Sequence, residues 1–223
     1  MAMPQRSALA DQTIGWLRAQ ITSGTWPVGT RIPTEPELVA QLTVSRNTVR
    51  EAVRALANTG LLDIRQGSGT FVLATSELAG VMHRRFADAN PRHVSELRVA
   101  LETAAAGLAA QRRTKADVKH LTQALQRREK AWQSGDTDRF VDADATLHLA
   151  VVAASHNDVI TELYADLGDV VRRFLLADLP HGLRPELYVD HARLVQAIRD
   201  GDVATAVAEA TAHPFSWASN WSS

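Results

Sequence analysis

Asp144 and His148 stand four residues apart, the spacing that sets two side chains on one face of a helix. Phe140, Leu147 and Val151 surround them in the sequence, so this face is expected to look into a core. His191 lies ten residues before Gly201 and His213 twelve after it, and Asp200-Gly201-Asp202 breaks the helical pattern between them. Two helices folded back at that break would hold both histidines within about 3 Å of the same height, at 1.5 Å per residue. One carboxylate and three imidazoles then converge. That set suits Zn, Ni, Mn or another divalent metal, with room for water or a ligand oxygen. An ordinary polar core fits the same spacing, and the spacing alone leaves both open. His83, His93, His120, His156 and His181 sit singly and read as structural or surface residues.

A second constellation lies near the N-terminus. Arg46, Arg50 and Arg54 recur every four residues, opposite the apolar stripe Val49, Val53 and Leu56. Ser45, Asn47 and Thr48 cluster at the start of the same segment. A helix entering the major groove offers its N-terminal residues to base edges. The arginine fork matches guanine, Asn matches adenine, and hydroxyls match phosphates. A solvated basic face has the same spacing. The hairpin that follows directly favours DNA.

These residues must be held by elements, and the sequence predicts them. Ala10, Ile14, Leu17 and Ile21 mark one face of a helix over 7–22. Gly24, Pro27 and Gly29 end it. Thr34-Glu35-Pro36-Glu37 reads as a capping box that opens a second helix, with Leu38, Val39 and Leu42 facing inward. Ser45 caps a third helix over 46–58, and Gly60 stops it. Two β-type runs, 61–65 and 70–73, flank Gln66-Gly67-Ser68-Gly69, whose glycines supply a hairpin turn. This order is that of a winged helix-turn-helix. From about residue 76 the pattern is helical throughout, with helices expected at 78–88, 93–112, 115–134, 137–154, 157–178, 185–200 and 202–218. Residues 74–76 read as the linker. The expected fold is therefore mostly α: a winged helix-turn-helix over 1–75, then an all-helical bundle over 76–223.

The composition narrows the function classes. In 223 residues there is no cysteine, which excludes disulfides and thiolate metal sites. No apolar run is long enough to span a membrane and the N-terminus lacks a signal-peptide core, so a cytoplasmic location with no membrane partner is expected. The first 75 residues carry seven arginines, no lysine and five carboxylates, a net of +2; the remainder carries a net of −3. The placement of the arginines thus says more than the total charge.

The motif from Val28 to Glu35 (VGTRIPTE), then Glu37-Leu38, the run Val44 to Leu56 (VSRNTVREAVRAL), Gly60-Leu61-Leu62 and Gly67 to Val72 (GSGTFV) resemble the GntR family of bacterial transcription regulators. The resemblance covers nearly all of residues 7–73. It implies DNA contacts from Ser45, Arg46, Asn47, Thr48 and Arg50, and a wing tip, Gln66 and Gly67, that reaches the minor groove. Pro36 stands where many members carry a DNA-contacting Arg, and Thr43 where the family often has Gly in the turn.

The second half is similar to the all-helical C-terminal effector domain of the FadR subfamily, called FCD. The resemblance rests on Glu96-Leu97-Arg98 with Glu102, on Asp144 and His148, and on Asn157, His191, Ala197-Ile198, Gly201-Asp202 and His213. It spans roughly 78–218. It implies a metal held by Asp144, His148, His191 and His213, and an effector carboxylate held by Arg98. Pro214 disfavours helical geometry at His213, and Arg98 at i, i+4 from Glu102 would also suit a surface salt bridge. The function implied is a metabolite-responsive regulator, a repressor released by a small organic acid, acting as a homodimer on double-stranded DNA with a pseudo-palindromic operator. Two alternatives are a metal sensor in which the ion is the signal, and a metal-dependent enzyme fused to a DNA-binding module. The second needs a general base, for which Glu102 and Asp142 are the nearby carboxylates.

Overall fold

The computed structural model describes residues 8–179, 182–185 and 188–212. Among these are ten α-helices and one two-stranded antiparallel sheet. The mostly helical fold class expected from the sequence is thus observed. The chain divides into two compact units, Met1–Ala87 and Asp88–Ser223.

The first unit holds α1 (Ala8–Thr22), α2 (Glu35–Leu42), α3 (Arg46–Thr59), β1 (Leu62–Arg65), β2 (Gly69–Val72) and α4 (Glu77–Arg85). Its core joins Ile14, Leu17 and Ile21 of α1 to Leu38, Val49, Val53 and Leu56, and closes on Leu61, Leu62 and Val72. The Glu37 carboxylate accepts from the Thr34 N–H and hydroxyl, each at 2.7 Å, and so ties the first turn of α2 back to the residue that precedes it. The turn between α2 and α3 passes through Thr43 at φ 54 and ψ 40, the left-handed conformation that a glycine adopts freely. Ile32 and Thr30 also bond to β2, at 2.9 Å each, so the segment before α2 braces the hairpin.

Residues 74–76, expected as linker, are built into this unit. Ala74 is fully buried, and the Ser76 hydroxyl caps α4 by accepting from the Ala79 N–H at 2.9 Å.

The second unit contains α5 (Pro91–Arg112), α6 (Lys115–Ser134), α7 (Thr137–Ala153), α8 (Asp158–Asp178), α9 (Ala192–Asp200) and α10 (Val203–Ala212). Small residues of α5 and α10, Ala106, Ala109, Ala110, Ala206 and Ala210, share a core with Leu121, Leu147, Val151, Leu194 and Ile198. Short side chains let these helix axes approach closely; a Cβ on Gly107 would already meet Val207 at 3.0 Å. The helix expected over 185–200 starts later, at Ala192. The Asp190 carboxylate accepts from the Ala192 N–H at 2.8 Å and fixes the start there. The helix expected over 202–218 is described only to Ala212.

Candidate metal centre and nucleic-acid interface

The buried stripe of α7 reads Phe140, Val141, Asp144, Leu147, His148 and Val151, which sets one carboxylate and one imidazole into an apolar row. His191 stands just before α9 and is equally buried. Ligand atoms of Asp144, His148 and His191 all lie within 4.8 Å of one another. His213 and His181 fall outside the described residues.

The hydrogen bonds around the imidazoles decide which nitrogens face inward. His191 Nδ1 lies 3.0 Å from the Val189 carbonyl, which can only accept, so Nδ1 carries the proton. His148 Nδ1 lies 2.9 Å from Glu102 Oε2, a carboxylate, and again Nδ1 donates. Both Nε2 atoms then point at each other, 3.1 Å apart. Asp144 Oδ2 lies 3.7 Å from His148 Nε2. A tetrahedral cation with arms of about 2.0–2.1 Å has ligand–ligand edges of roughly 3.3 Å, between these two separations. With both Nδ1 atoms bonded outward, a proton or a cation between the two Nε2 atoms satisfies both of them. Orientation of each ring by a carbonyl or a carboxylate on Nδ1 is the arrangement typical of metal-ligating histidines. The residues present therefore fit a divalent cation with nitrogen and oxygen ligands.

Two arginines complete the charge pattern. Arg98 donates through Nε to Glu102 Oε1 and through Nη2 to Asp144 Oδ2, the latter at 3.3 Å. Arg128 donates through Nε to Asp144 Oδ1 at 2.7 Å. The Tyr164 hydroxyl donates to Glu102 Oε1. Burial alone would raise the Asp144 carboxyl; His148, Arg98, Arg128 and His191 outweigh it and hold Asp144 well below the usual carboxylate range. Burial likewise opposes the Glu102 charge, and Arg98, His148 and Tyr164 hold Glu102 well below that range too. Arg98 and Tyr164 also line a cavity of about 210 Å³ together with Ala145, Leu149, Gly168 and Val171.

In the first unit, α3 begins at a capped end. The Thr48 N–H donates to the Ser45 hydroxyl at 3.1 Å, and the two hydroxyls lie 2.8 Å apart. Arg46, Asn47 and Arg50 are exposed on the same end, opposite the buried Val49, Ala52, Val53 and Leu56. Arg50 pairs with Glu35 at 3.1 Å, an ion pair that any phosphate or base edge taken by Arg50 must displace. Gln66 and Gly67 sit exposed at the tip of the hairpin. Gly67 has φ +77, and the Ser68 N–H closes the turn on the Arg65 carbonyl at 3.0 Å. A helix end rich in donors beside a protruding hairpin is the layout of a winged DNA reader.

Residues 9–72 match the family described as bacterial regulatory proteins, gntR family, and residues 93–214 match the FCD domain. The chain belongs to the GntR family of bacterial transcription regulators, in its FadR subfamily with an FCD domain. It is similar to the galactonate operon transcriptional repressor of Escherichia coli K12, 31% identical over 87% of this chain and 89% of that protein. It is 33% identical to the Uxu operon regulator of Haemophilus influenzae over 68% of this chain, an alignment that spans 56% of that relative's length. Among solved structures, GntR of Streptococcus agalactiae superposes with a TM-score of 0.52 at 27% identity, covering 92% of this chain and 96% of that one. Such relatives make this GntR chain a DNA-binding transcriptional regulator.

Against the sequence reading of this GntR chain, three of the four expected metal ligands converge and the fourth is not among the described residues. The surface role considered for Arg98 is not what forms: its partner is Glu102, but both side chains are buried, at 3% and 5% exposure. Asp142, weighed as a general base, is exposed and pairs with Arg172 at 2.8 Å. Pro36 occupies the first turn of α2, where its missing N–H would have had no helical partner. Sequence reasoning missed Arg128 and Tyr164. Arg128 carried a signal: it falls on the apolar stripe of α6 with Leu121 and Ala124, where a charge is out of pattern. Tyr164 carried none, because an aromatic residue on a helix stripe is ordinary core.

Proposed function

We propose that this GntR regulator is an operon repressor released by a small organic acid, and that the acid binds beside a divalent metal held by Asp144, His148 and His191, with His213 as the fourth ligand. The observation that carries this reading is the convergence of three buried ligand side chains whose imidazoles are already oriented by Glu102 and Val189. A bound divalent cation supplies a positive centre to which acid oxygens are attracted. Arg98 offers a flat, charged fork for the carboxylate, and its hold on Glu102 and Asp144 fixes where that fork lies. Glu102 keeps His148 in the tautomer that leaves Nε2 free to bind. The relative named for a galactonate operon supports a polyhydroxy acid as the ligand class.

On the DNA side, Ser45, Arg46, Asn47, Thr48 and Arg50 read the major groove, and Gln66 and Gly67 at the wing tip enter the minor groove. The chain acts as a homodimer on a pseudo-palindromic operator, because one short helix reads few bases. Acid binding favours one arrangement of the helical unit and thereby lowers operator affinity. The test uses genomic fragments captured by the purified, metal-loaded protein at one stated salt concentration. Enriched fragments sharing a short inverted repeat, released by sodium galactonate or lactate but not by the corresponding uncharged polyols, support the reading. Enriched fragments that release on chelation and ignore acids would overturn it in favour of a metal sensor.

A further inference from the structure

Arg128 is 2% exposed and sits where the stripe of α6 calls for an apolar residue. Stability does not explain it. A buried ion pair is generally matched or bettered by well-packed apolar side chains of similar volume, so a methionine here would fill the space without the desolvation cost. The bonds made by Arg128 are specific instead. Its Nε donates to Asp144 Oδ1 at 2.7 Å, whereas Oδ2 is the oxygen that lies 3.7 Å from His148 Nε2. The guanidinium is itself fixed. Its central carbon stands 5.0 Å from the Phe140 ring centroid and 5.8 Å from that of Tyr188, and Nη1 reaches Glu129 at 3.2 Å. Tyr188 is tied down in turn, its hydroxyl donating to Glu129 and its ring packing on Trp132.

We propose that Arg128 is a positioning residue that makes Asp144 a one-oxygen ligand and thereby sets which divalent cations the centre prefers. The inference rests on the metal reading of Asp144, His148 and His191 given above. With Oδ1 held by Arg128, the carboxylate cannot turn both oxygens to a cation. One oxygen and several imidazole nitrogens suit Zn²⁺ and Ni²⁺. Mn²⁺ favours oxygen-rich sets, to which the second carboxylate oxygen would add. Arg128 thus disfavours the oxygen-seeking cation without touching it.

The experiment titrates the full-length, chelator-stripped protein with Zn²⁺, Ni²⁺ and Mn²⁺ against a competing chromophoric chelator at one pH. The wild type is expected to prefer Zn²⁺ and Ni²⁺ over Mn²⁺. In Arg128→Met the Zn²⁺-to-Mn²⁺ affinity ratio falls by about tenfold or more, the size usual for residues that orient metal ligands. A purely structural Arg128 would weaken all three cations alike, so a uniform loss or an unchanged ratio overturns the proposal. Tyr188→Leu removes one ring from the guanidinium and leaves the Asp144 hydrogen bonds in place. It is expected to move the ratio the same way by a smaller factor, and an unchanged ratio there overturns the proposal where Arg128→Met does not fold. A wild type that binds none of the three cations would overturn the metal reading itself and this inference with it.

Discussion

His148 Nε2 and His191 Nε2 face each other at 3.1 Å, although 43 residues separate them and they belong to different elements. Each ring is turned to this point by a different acceptor on its far nitrogen, Glu102 for His148 and the Val189 carbonyl for His191. The second acceptor exists because residues 188–190 stay out of helix, so that the Val189 carbonyl is available two residues before the histidine. A helix over 185–200 would have used that carbonyl in its own ladder.

Arg98 is expected to act on the effector response rather than on DNA affinity. Arg98→Lys keeps a charge but loses the fork that spans Glu102 and Asp144. In acid-titrated release of bound fragments, the half-release concentration rises by at least tenfold, while affinity in the absence of acid changes little. An unchanged half-release concentration would remove Arg98 from the effector site.

Arg46 and Asn47 carry the DNA-reading claim. Both are exposed at the start of α3 and neither lies on its buried stripe, so alanine there leaves the fold intact. Removing one side chain that bonds a base edge costs about 1–3 kcal/mol of discrimination. Competition between specific and random fragments at fixed salt is the measurement, and retained discrimination in Arg46→Ala would contradict the assignment.

Thr43 holds a left-handed backbone with a β-branched side chain, a conformation costing roughly 1–2 kcal/mol for a non-glycine residue. Thr43→Gly relieves that cost and returns part of it as unfolded-chain entropy, about 0.5–1 kcal/mol. A net gain on the order of 0.5–1 kcal/mol is expected, seen as a higher urea midpoint. A lower midpoint would mean that the packing of the Thr43 side chain matters more than the turn.

Asp117 supplies a pH dependence away from the candidate metal centre. Burial opposes its charge, but bonds from the Thr114 N–H and hydroxyl, with His156 at 2.8 Å, together outweigh it and lower its carboxyl below the ordinary value. A carboxyl lowered in the folded state contributes stability that is present above its unfolded pKa and lost as pH falls through the folded value. Asp117→Asn is therefore less stable than the wild type at neutral pH, and the difference narrows as the pH drops into the acid range. Thermal midpoints measured at neutral pH and at about pH 3 check this; a difference that stays constant would contradict it.

Much of this was legible in the sequence because the signals are local. The cap at Thr34, the helical spacing of Val49, Val53 and Leu56, and the glycines of the hairpin act within a few residues of one another. Asp144 and His148 were legible for the same reason. The partners of Asp144 were not, since Arg98 and Arg128 arrive from 46 and 16 residues away along the chain. Their pairing depends on how α5 and α6 pack beside α7, which periodicity does not encode. The late start of α9 was missed because Asp190 and Ala192 make a cap whose strength lies in geometry rather than in composition.

The most direct test of the central claim is metal content per chain, by elemental analysis of the full-length protein reconstituted with Zn²⁺ and desalted. About one ion per chain is expected in the wild type, with His148→Ala and His191→Ala each folded but largely depleted. Equal metal content in the wild type and both variants would contradict the account, because the ion would then be held elsewhere.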